Sequence, residues 1–351
     1  SKTKILCFHK GRLKRSAIVP SYKGKSLEMT GRATYLGVVF SSSSLFLEST
    51  RAAIVKARVA SGVVFKTLYR SKNRSWEAQN RLFNSIIMST MMYGVQIWGL
   101  RYMENLEVVQ IGYYKRLLKM PVTTPSFYVR LEAGIIHIAY RVIELTLGWV
   151  LKMAEMSDDR LPKMFVKKAI QLHNKASNIK YNWWSQVVGV LRKYGCSNEL
   201  EFDDVSALKN QIKQTLFNLK EFLANSDRRA LEQSRYSFKY SALMANYKVE
   251  VGFLNVDMPF IFKQLVAQLR ASGNYKFKLK IKKFSITIDP KQTCSICNML
   301  IEESLYHVLC VCPIYTFSRD YYIPEAGNLK EDDYYIELLQ EVNLAKAAKL
   351  Y

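Results

Sequence analysis

Glycine and proline are scarce in this chain, with 15 and 8 among 351 residues. Leucine, isoleucine, lysine and alanine instead recur at helical spacing, so the composition excludes a fold built on frequent tight turns and predicts a mostly helical one. The apolar fraction of 49% is large enough for a real core. A chain of this length predicts two or three domains.

Long apolar runs are also missing, since the one uncharged stretch of 18 or more residues, 82–100, is interrupted by Asn84, Ser85, Ser89, Thr90 and Gln96. The most apolar candidate, 135–154, contains four ionisable residues: His137, Arg141, Glu144 and Lys152. A membrane span is therefore not expected. The first fifteen residues are basic without a long apolar run after them, so the sequence predicts no signal peptide.

The sequence lacks the clustered carboxylates with which a polymerase or nuclease holds two magnesium ions. Adjacent acids occur at three places, where polar neighbours or a predicted helix start indicate caps or solvated turns: Asp158–Asp159, Asp203–Asp204 and Asp332–Asp333. There is no Gly-rich phosphate loop, and no Ser or Cys nucleophile has an identifiable base. The chain offers no self-contained active site.

Cysteines are few, but four of the six crowd between Cys294 and Cys312. Without a secretory context this clustering indicates a metal site and not a disulfide framework. Cys294, Cys297, His307 and Cys312 form the pattern C-x2-C-x9-H-x4-C. These four ligands fill a tetrahedron and leave no position for water, so the pattern predicts one structural Zn²⁺. Cys310 is an alternative fourth ligand, and buried unpaired thiols near a core histidine are the alternative to any metal.

Basic residues are in large excess, 52 against 29 acidic ones, for a net charge of +23. The excess is uneven, because residues 1–80 hold sixteen Lys or Arg and only three acids. So concentrated a surplus predicts a polyanion as partner, most simply nucleic acid, although a solubilising surface would use the same residues.

Strand signals open the chain at 3–8, 25–29 and 34–40, which suggests that earlier strands precede residue 1. Apolar periodicity then predicts a series of helices: 48–70, 76–98, 103–119, 137–156, 160–174, 183–194, 204–225, 258–271 and 332–350.

Apolar and polar residues alternate at 275–288, which predicts β structure with a bulge or turn near Lys282. Lysines alternate with apolar residues there and share one face: Lys276, Lys278, Lys280 and Lys282. The lysines either protect a strand edge from aggregation or contact phosphates, and the sequence favours neither reading.

Several segments together resemble the downstream half of the reverse transcriptases of non-LTR (LINE-type) retrotransposons. The segment S-K-T-K-I-L at 1–6 resembles the stretch after their catalytic aspartate loop. The strand Y-L-G-V-V-F at 35–40 resembles their primer-grip hairpin, and Y-G-V-Q-I-W-G at 93–99 resembles a signature of their thumb. Y-K-R-L-L-K-M-P at 114–121 resembles the end of the next thumb helix, and the Cys/His pattern resembles their C-terminal zinc knuckle. The resemblance is only generic in the middle of the chain.

The resemblance implies a mostly α fold with a small β portion, divided in a particular order. The expected parts are the end of the palm with a primer-grip-like hairpin at 1–45, a helical thumb at 46–156, a helical linker at 157–272, a β segment with the CCHC zinc knuckle at 273–319 and a helical tail at 320–351.

As function, the resemblance implies the nucleic-acid-binding C-terminal region of an RNA-directed DNA polymerase that acts in target-primed reverse transcription. The catalytic aspartates, and the Mg²⁺ of the intact polymerase, would belong to segments before residue 1. The implied partners are template–primer, RNA–DNA duplex and element RNA, within a ribonucleoprotein of nucleus and cytoplasm. Together, the resemblance and the basic pattern give these expected nucleic-acid contacts: Lys2, Lys4, Tyr35, Leu36, Gly37, Lys56, Arg58, Lys66, Lys115, Arg116, Lys276, Lys278 and Lys280.

Two other readings of the sequence remain. One is a stand-alone zinc-containing protein, derived from such an element, that binds nucleic acid without catalysis. The other is an interaction protein whose basic face meets an acidic partner. Strong salt dependence of nucleic-acid binding would favour the first of these, and a saturable protein partner would favour the second.

Overall fold

The computed structural model describes residues 3–8, 21–42, 45–71, 75–175, 181–196, 200–234, 252–271, 276–281 and 284–322. The fold is mostly helical with a small sheet portion, as the sequence predicts. Within the described residues, no helix is both long enough and apolar enough to cross a bilayer. The predicted helix at 332–350 lies outside the described residues.

Helices account for most of the described chain. They are α1 Leu47–Ser71, α2 Trp76–Leu82, α3 Ser89–Met91, α4 Val95–Trp98, α5 Met103–Leu118, α6 Ser126–Ala133, α7 Ala139–Ala154, α8 Leu161–Lys175, α9 Trp183–Lys193, α10 Val205–Glu232, α11 Gly252–Asn255, α12 Phe260–Arg270 and α13 Thr316–Tyr322.

The strands form small two-stranded sheets. They are β1 Lys4–Ile5, β2 Ser21–Tyr22, β3 Lys25–Ser26, β4 Glu28–Met29, β5 Arg32–Tyr35, β6 Val38–Ser41, β7 Phe277–Ile281 and β8 Phe284–Ile288. β1 pairs with β4 in parallel, whereas β2–β3, β5–β6 and β7–β8 are antiparallel. The β7–β8 pairing confirms the predicted change of direction near Lys282, a residue that itself lies outside the described part.

The single helix predicted at 76–98 is wrong, because the structure interrupts it twice. A π-helical segment occupies Phe83–Met88, and a turn separates α3 from α4. Gly94 has φ of +67° in that turn, a left-handed conformation that ends the preceding helix and that glycine adopts without steric cost.

The apolar face that periodicity predicts for the helix at 48–70, formed by Ile54, Val55, Val59, Val63 and Phe65, is also wrong in part. Val55, Val59 and Val63 are 56–67% exposed, and the buried side instead carries Ala57, Ser61 and Val64. Valine counts as apolar in any periodicity argument. Short side chains bury more readily where backbones pack closely, so the small residues occupy the packed face.

The chain folds into two compact units, of which the first comprises 1–66, 82–109 and 137–222. α7 fills its core, because apolar residues recur on α7 every three or four positions and are fully buried: Ala139, Val142, Ile143, Leu147 and Val150. Gly99 follows α4 where a Cβ would lie 2.2 Å from Val95 Cγ2 and 3.3 Å from Val142 Cγ1. A side chain at position 99 would therefore overlap Val95 of α4 and crowd Val142 of α7.

The second unit comprises 67–81, 110–136 and 223–351. Its core buries Tyr114, Tyr128 and Phe253 together with two ion pairs. Glu132 pairs with Arg270 over 2.6 Å, and both side chains are 1% exposed. A buried charge is tolerated only when it is paired and hydrogen-bonded, so these partners fix how α6 and α12 pack.

Candidate metal centre and nucleic-acid surface

Four side chains of the second unit gather as the sequence predicts: Cys294, Cys297, His307 and Cys312. All four are buried, and their ligand atoms lie within 4.8 Å of one another. Among the described residues this is the one group of three or more Cys, His, Asp or Glu side chains that could hold a metal ion. The carboxylate cluster of a two-metal active site is therefore not present in the described part of the chain.

Backbone hydrogen bonds at the two ends of the motif hold the four ligands together. A β-bridge pairs Thr293 with Glu302, and the Cys294 N–H donates to the Ile301 carbonyl over 2.8 Å. These contacts fold the C-x2-C turn back on the chain that follows it.

The H-x4-C half of the motif is built on a π-helical turn, His307–Val311. The Cys312 N–H donates to the His307 carbonyl over 2.7 Å, a contact that spans five residues. A π turn brings residues five apart onto one side, whereas an α-helix would rotate them away from each other. The spacing of four intervening residues therefore fits this local structure.

The surroundings of the four ligands shift their pKa values in different directions. The pKa of Cys294 is lowered: burial raises it, but hydrogen bonds from the backbone N–H groups of Cys297 and Ile296 outweigh that penalty. Burial raises the pKa of Cys312 and lowers that of His307, which favours the neutral imidazole that metals bind. His307 Nε2 lies 3.2 Å from Cys297 Sγ, so this ring nitrogen points at the thiols.

The donor set fits a tetrahedral metal site. Zn–S and Zn–N bonds of about 2.0–2.3 Å place neighbouring ligand atoms roughly 3.3–3.8 Å apart, so this group needs only a small contraction. Three cysteines and one histidine can hold a metal such as zinc, and no fifth position is left for a substrate. Cys312, and not Cys310, belongs to the group, since Cys310 is only half-buried and lies outside it.

The structure brings together two of the segments that carry the sequence resemblance, within the first unit. The turn between β5 and β6 contains Leu36 and Gly37, with φ of +46° and +81°. Tyr93 Oη donates to the Leu36 carbonyl over 3.0 Å, and a Cβ on Gly37 would lie 3.3 Å from Tyr93 Cε1. We call this contact between the β5–β6 turn and Tyr93 the clasp.

The rest of the Y-G-x-x-x-W-G segment supports the clasp from behind. Trp98 is buried, and its Nε1 donates to the Tyr93 carbonyl over 3.2 Å. Gly94 passes so close that a Cβ would lie 3.4 Å from Val38 Cγ2. Each conspicuous residue of the segment thus has a physical role in holding Tyr93 against the turn.

The clasp leaves an exposed tip beside a cation. Tyr35 and Leu36 are 66% and 72% exposed. A cleft next to them is lined by Gly37, Tyr93 and Lys56 among others, and Lys56 is its one charged lining residue. Lys56 therefore shares this cleft with Gly37 and Tyr93.

The basic residues expected on α1 lie on its solvent side. Lys56, Arg58 and Lys66 are all exposed, as predicted, and in the described part of the chain none of the three forms an ion pair. Arg51 differs, because it pairs with Glu48 over 2.8 Å. The three unpaired cations keep their charge available for an external anion.

Several other residues expected to contact nucleic acid already have partners within the chain. Lys4 pairs with Glu28, and Lys276 pairs with Asp289 over 3.1 Å. Lys115 is half-buried and donates to the Val122 carbonyl over 2.7 Å, and burial lowers its pKa. The remaining predicted contacts divide as follows: Arg116 and Lys278 are exposed, Lys280 lies on β7, and Lys2 lies outside the described residues.

Trp76, Tyr93 and Trp98 fall on the helix that the sequence predicts at 76–98, where core packing is favoured over base stacking, and this expectation holds for two of the three. Trp76 and Trp98 are buried, but Tyr93 is 59% exposed and lies in a turn. The helix-breaking geometry at Gly94 turns Tyr93 out of the core. The Tyr-Gly pair itself was the sequence signal for that turn.

The paired acids behave as caps or surface turns where they are described. Asp204 accepts hydrogen bonds from the backbone N–H groups of Ser206 and Ala207 at the start of α10. Asp158 is exposed, and hydrogen bonds from Lys163 and Lys167 lower its pKa. The third pair, Asp332–Asp333, lies outside the described residues.

Comparison with known proteins identifies no relative. No protein-family model, no curated protein and no solved structure matches this chain. Its functional assignment therefore depends on its own motifs and on the geometry described above.

Proposed function

We propose that this chain is the nucleic-acid-binding C-terminal region of a LINE-type RNA-directed DNA polymerase. In this proposal it grips template–primer duplex or element RNA during target-primed reverse transcription and is not catalytic by itself. Its parts would be the palm end, the helical thumb, the linker and the zinc knuckle given by the sequence resemblance.

The clasp is the observation that carries the proposal. The Y-L-G-V and Y-G-x-x-x-W-G segments each resemble the family on their own, and Leu36 and Tyr93 lie 57 positions apart in the chain. Their direct contact supports the proposal, because a hairpin held against the thumb would need such a contact.

The chemistry of the exposed cations supports duplex binding through phosphates. Phosphate contacts position a protein on a duplex without reading its sequence. Lys56, Arg58 and Lys66 are unpaired in the described part of the chain, so binding does not first have to break an ion pair. The net charge of +23 adds a favourable long-range field.

The Cys₃His group would serve as a structural zinc centre in this proposal. Cys294, Cys297, His307 and Cys312 would hold the ion, which would supply folding energy to a segment with few other buried side chains. With the ion bound, the residues of the knuckle would keep one fixed conformation and so present a defined surface.

The proposal is tested by titrating the full chain with labelled RNA–DNA hybrids of two unrelated sequences. We expect equal dissociation constants within about threefold, because phosphates carry no sequence information. An affinity that differs between the two hybrids by orders of magnitude would contradict backbone gripping. Undetectable binding to both would favour an acidic protein partner instead.

A further inference from the structure

A basic and aromatic ridge runs along α10, outside every segment discussed so far: Lys209, Lys213, Phe217 and Lys220, called here the α10 ridge. We propose that the α10 ridge binds single-stranded nucleic acid, with phosphates on the three lysines and one unpaired base stacked on Phe217. The inference rests on the proposed function and deepens it, because it assigns a second surface with a different substrate class.

The ridge residues share one side of the helix. Their spacings of four, four and three residues keep them within about one quarter of the helix circumference. Leu208, Ile212 and Leu219 are buried on a neighbouring face of the helix, about a third of a turn away. The ridge therefore faces solvent along a line that runs about 16 Å from Lys209 to Lys220.

The lysines of the ridge are free to meet an anion. Many other cations of this chain are committed to acids, as Arg141 is to Glu144 and Lys167 is to Asp158. Within the described ranges, Lys209, Lys213 and Lys220 form no ion pair and no hydrogen bond, and all three are exposed. Between Lys209 and Lys220 the helix carries no acid, and Glu221 follows Lys220 directly.

Phe217 indicates which kind of polyanion the ridge would bind. Its side chain is 63% exposed, between lysines that lie on either side of it along the helix. An aromatic ring in solvent among cations offers a flat face to a base, and stacking of this kind tolerates any sequence. In a duplex the bases are already stacked on each other and cannot reach such a ring, so the ridge fits an unpaired strand.

The spacing of the lysines also suits one strand. Lys209 and Lys213 are about 6 Å apart along the helix axis, and Lys213 and Lys220 about 10 Å. Phe217 lies in the longer gap, where a base can turn inward while its flanking phosphates reach the lysines. An acidic peptide could satisfy the lysines but would gain little from an exposed phenylalanine.

The experiment titrates the full chain with a fluorescein-labelled oligothymidylate, which forms no duplex, and in parallel with an RNA–DNA hybrid. One variant carries Lys209→Gln, Lys213→Gln and Lys220→Gln. Its matched control has the same change of charge at exposed lysines elsewhere in the first unit: Lys152→Gln, Lys168→Gln and Lys175→Gln. Phe217→Ala and Phe217→Trp test the ring.

The ridge triple variant should bind oligothymidylate about 10- to 100-fold more weakly than wild type. Its log–log salt slope should be shallower by about two. Phe217→Ala should weaken binding about 5- to 100-fold at an unchanged salt slope, because stacking releases no counterions. Phe217→Trp should restore it, and the lysine control should differ from wild type by less than threefold.

Two results would overturn the inference. One is oligothymidylate binding by the ridge variants that equals that of wild type. The other is an equal loss of hybrid binding in Phe217→Ala, which would indicate a folding defect or a duplex surface. In both cases the wild-type chain would still bind the hybrid, whereas failure of the proposed function would abolish hybrid binding by wild type itself.

Discussion

Tyr93 donates a hydrogen bond from its phenol oxygen to the carbonyl oxygen of Leu36, over 3.0 Å. The bond joins a β-hairpin turn to the turn before α4, and the same ring covers Gly37. Leu36 and Gly37 form a two-residue hairpin loop with positive φ at both positions, and the hydrogen bond offsets part of the strain that a leucine has in this conformation. The contact therefore makes the stability of the first unit depend on both motifs.

Substitutions in the clasp should measure its strength. Tyr93→Phe keeps the ring and removes the donor, so the free energy of unfolding should fall by about 0.5–1.5 kcal/mol. Gly37→Ala should cost about 1–2 kcal/mol, because alanine is strained at φ of +81° and its Cβ would crowd Tyr93. Urea denaturation followed by circular dichroism gives both values.

Gly62→Ala is the matched control for the clasp. Gly62 lies within α1 with no atom close to where its Cβ would be, so alanine should stabilise the chain by about 0.5–1 kcal/mol. If Gly37→Ala stabilised the chain as Gly62→Ala does, the clasp as described would be wrong.

The knuckle should bind one zinc ion per chain. Cys297→Ser and Cys312→Ser each remove a buried ligand, so purified protein should lose most of its metal and unfold at a lower temperature. Cys310→Ser should retain the metal, because Cys310 lies outside the group of four. Elemental analysis of the three variants beside wild type measures the zinc content of each. Metal loss in Cys310→Ser with retention in Cys312→Ser would show that Cys310, and not Cys312, is the fourth ligand.

The buried ion pair of the second unit should contribute strongly to stability. Glu132→Gln leaves Arg270 charged without its counter-ion at 1% exposure, so it should cost about 3–5 kcal/mol. Glu77→Gln removes the exposed partner of Arg81 in the same unit and should cost less than about 0.5 kcal/mol. Similar costs for the two variants would mean that the buried pair is not formed.

Asp289 should titrate below the ordinary range of an aspartate. A hydrogen bond from Lys276 lowers its pKa, and the backbone N–H of Lys291 adds to the effect. Its stabilising contribution is then fully present above the unfolded-state pKa of about 4 and is lost as the pH falls through the lower folded-state value. Carboxylate NMR titration should show the low midpoint, and Lys276→Met should raise it, whereas an unchanged midpoint in that variant would remove Lys276 as the cause.

Local sequence patterns predicted a good part of this structure. The helix expected at 48–70 is observed at Leu47–Ser71, and the ligands of the knuckle were all named from their spacing. Both predictions rest on residues that are close in the sequence: the helix on its apolar periodicity, and the metal site on the spacing of its ligands.

Tertiary packing produced what the sequence did not predict. The valines of α1 were expected inside but are exposed, because close packing selected the smaller Ala57 and Ser61. The pairing of Glu132 with Arg270 joins residues 138 apart. No local pattern reveals which of the 52 basic residues and 29 acidic ones become buried partners.

The salt dependence of hybrid binding by an α1 variant tests the central claim most directly. Lys56→Gln, Arg58→Gln and Lys66→Gln together should weaken binding of an RNA–DNA hybrid at any sequence. They should also flatten the log–log salt slope by up to about three, since each phosphate contact contributes roughly 0.9. The triple variant at Lys152, Lys168 and Lys175 should retain the wild-type slope. If the α1 variant binds the hybrid with wild-type affinity and an unchanged slope, α1 is not the surface that grips nucleic acid.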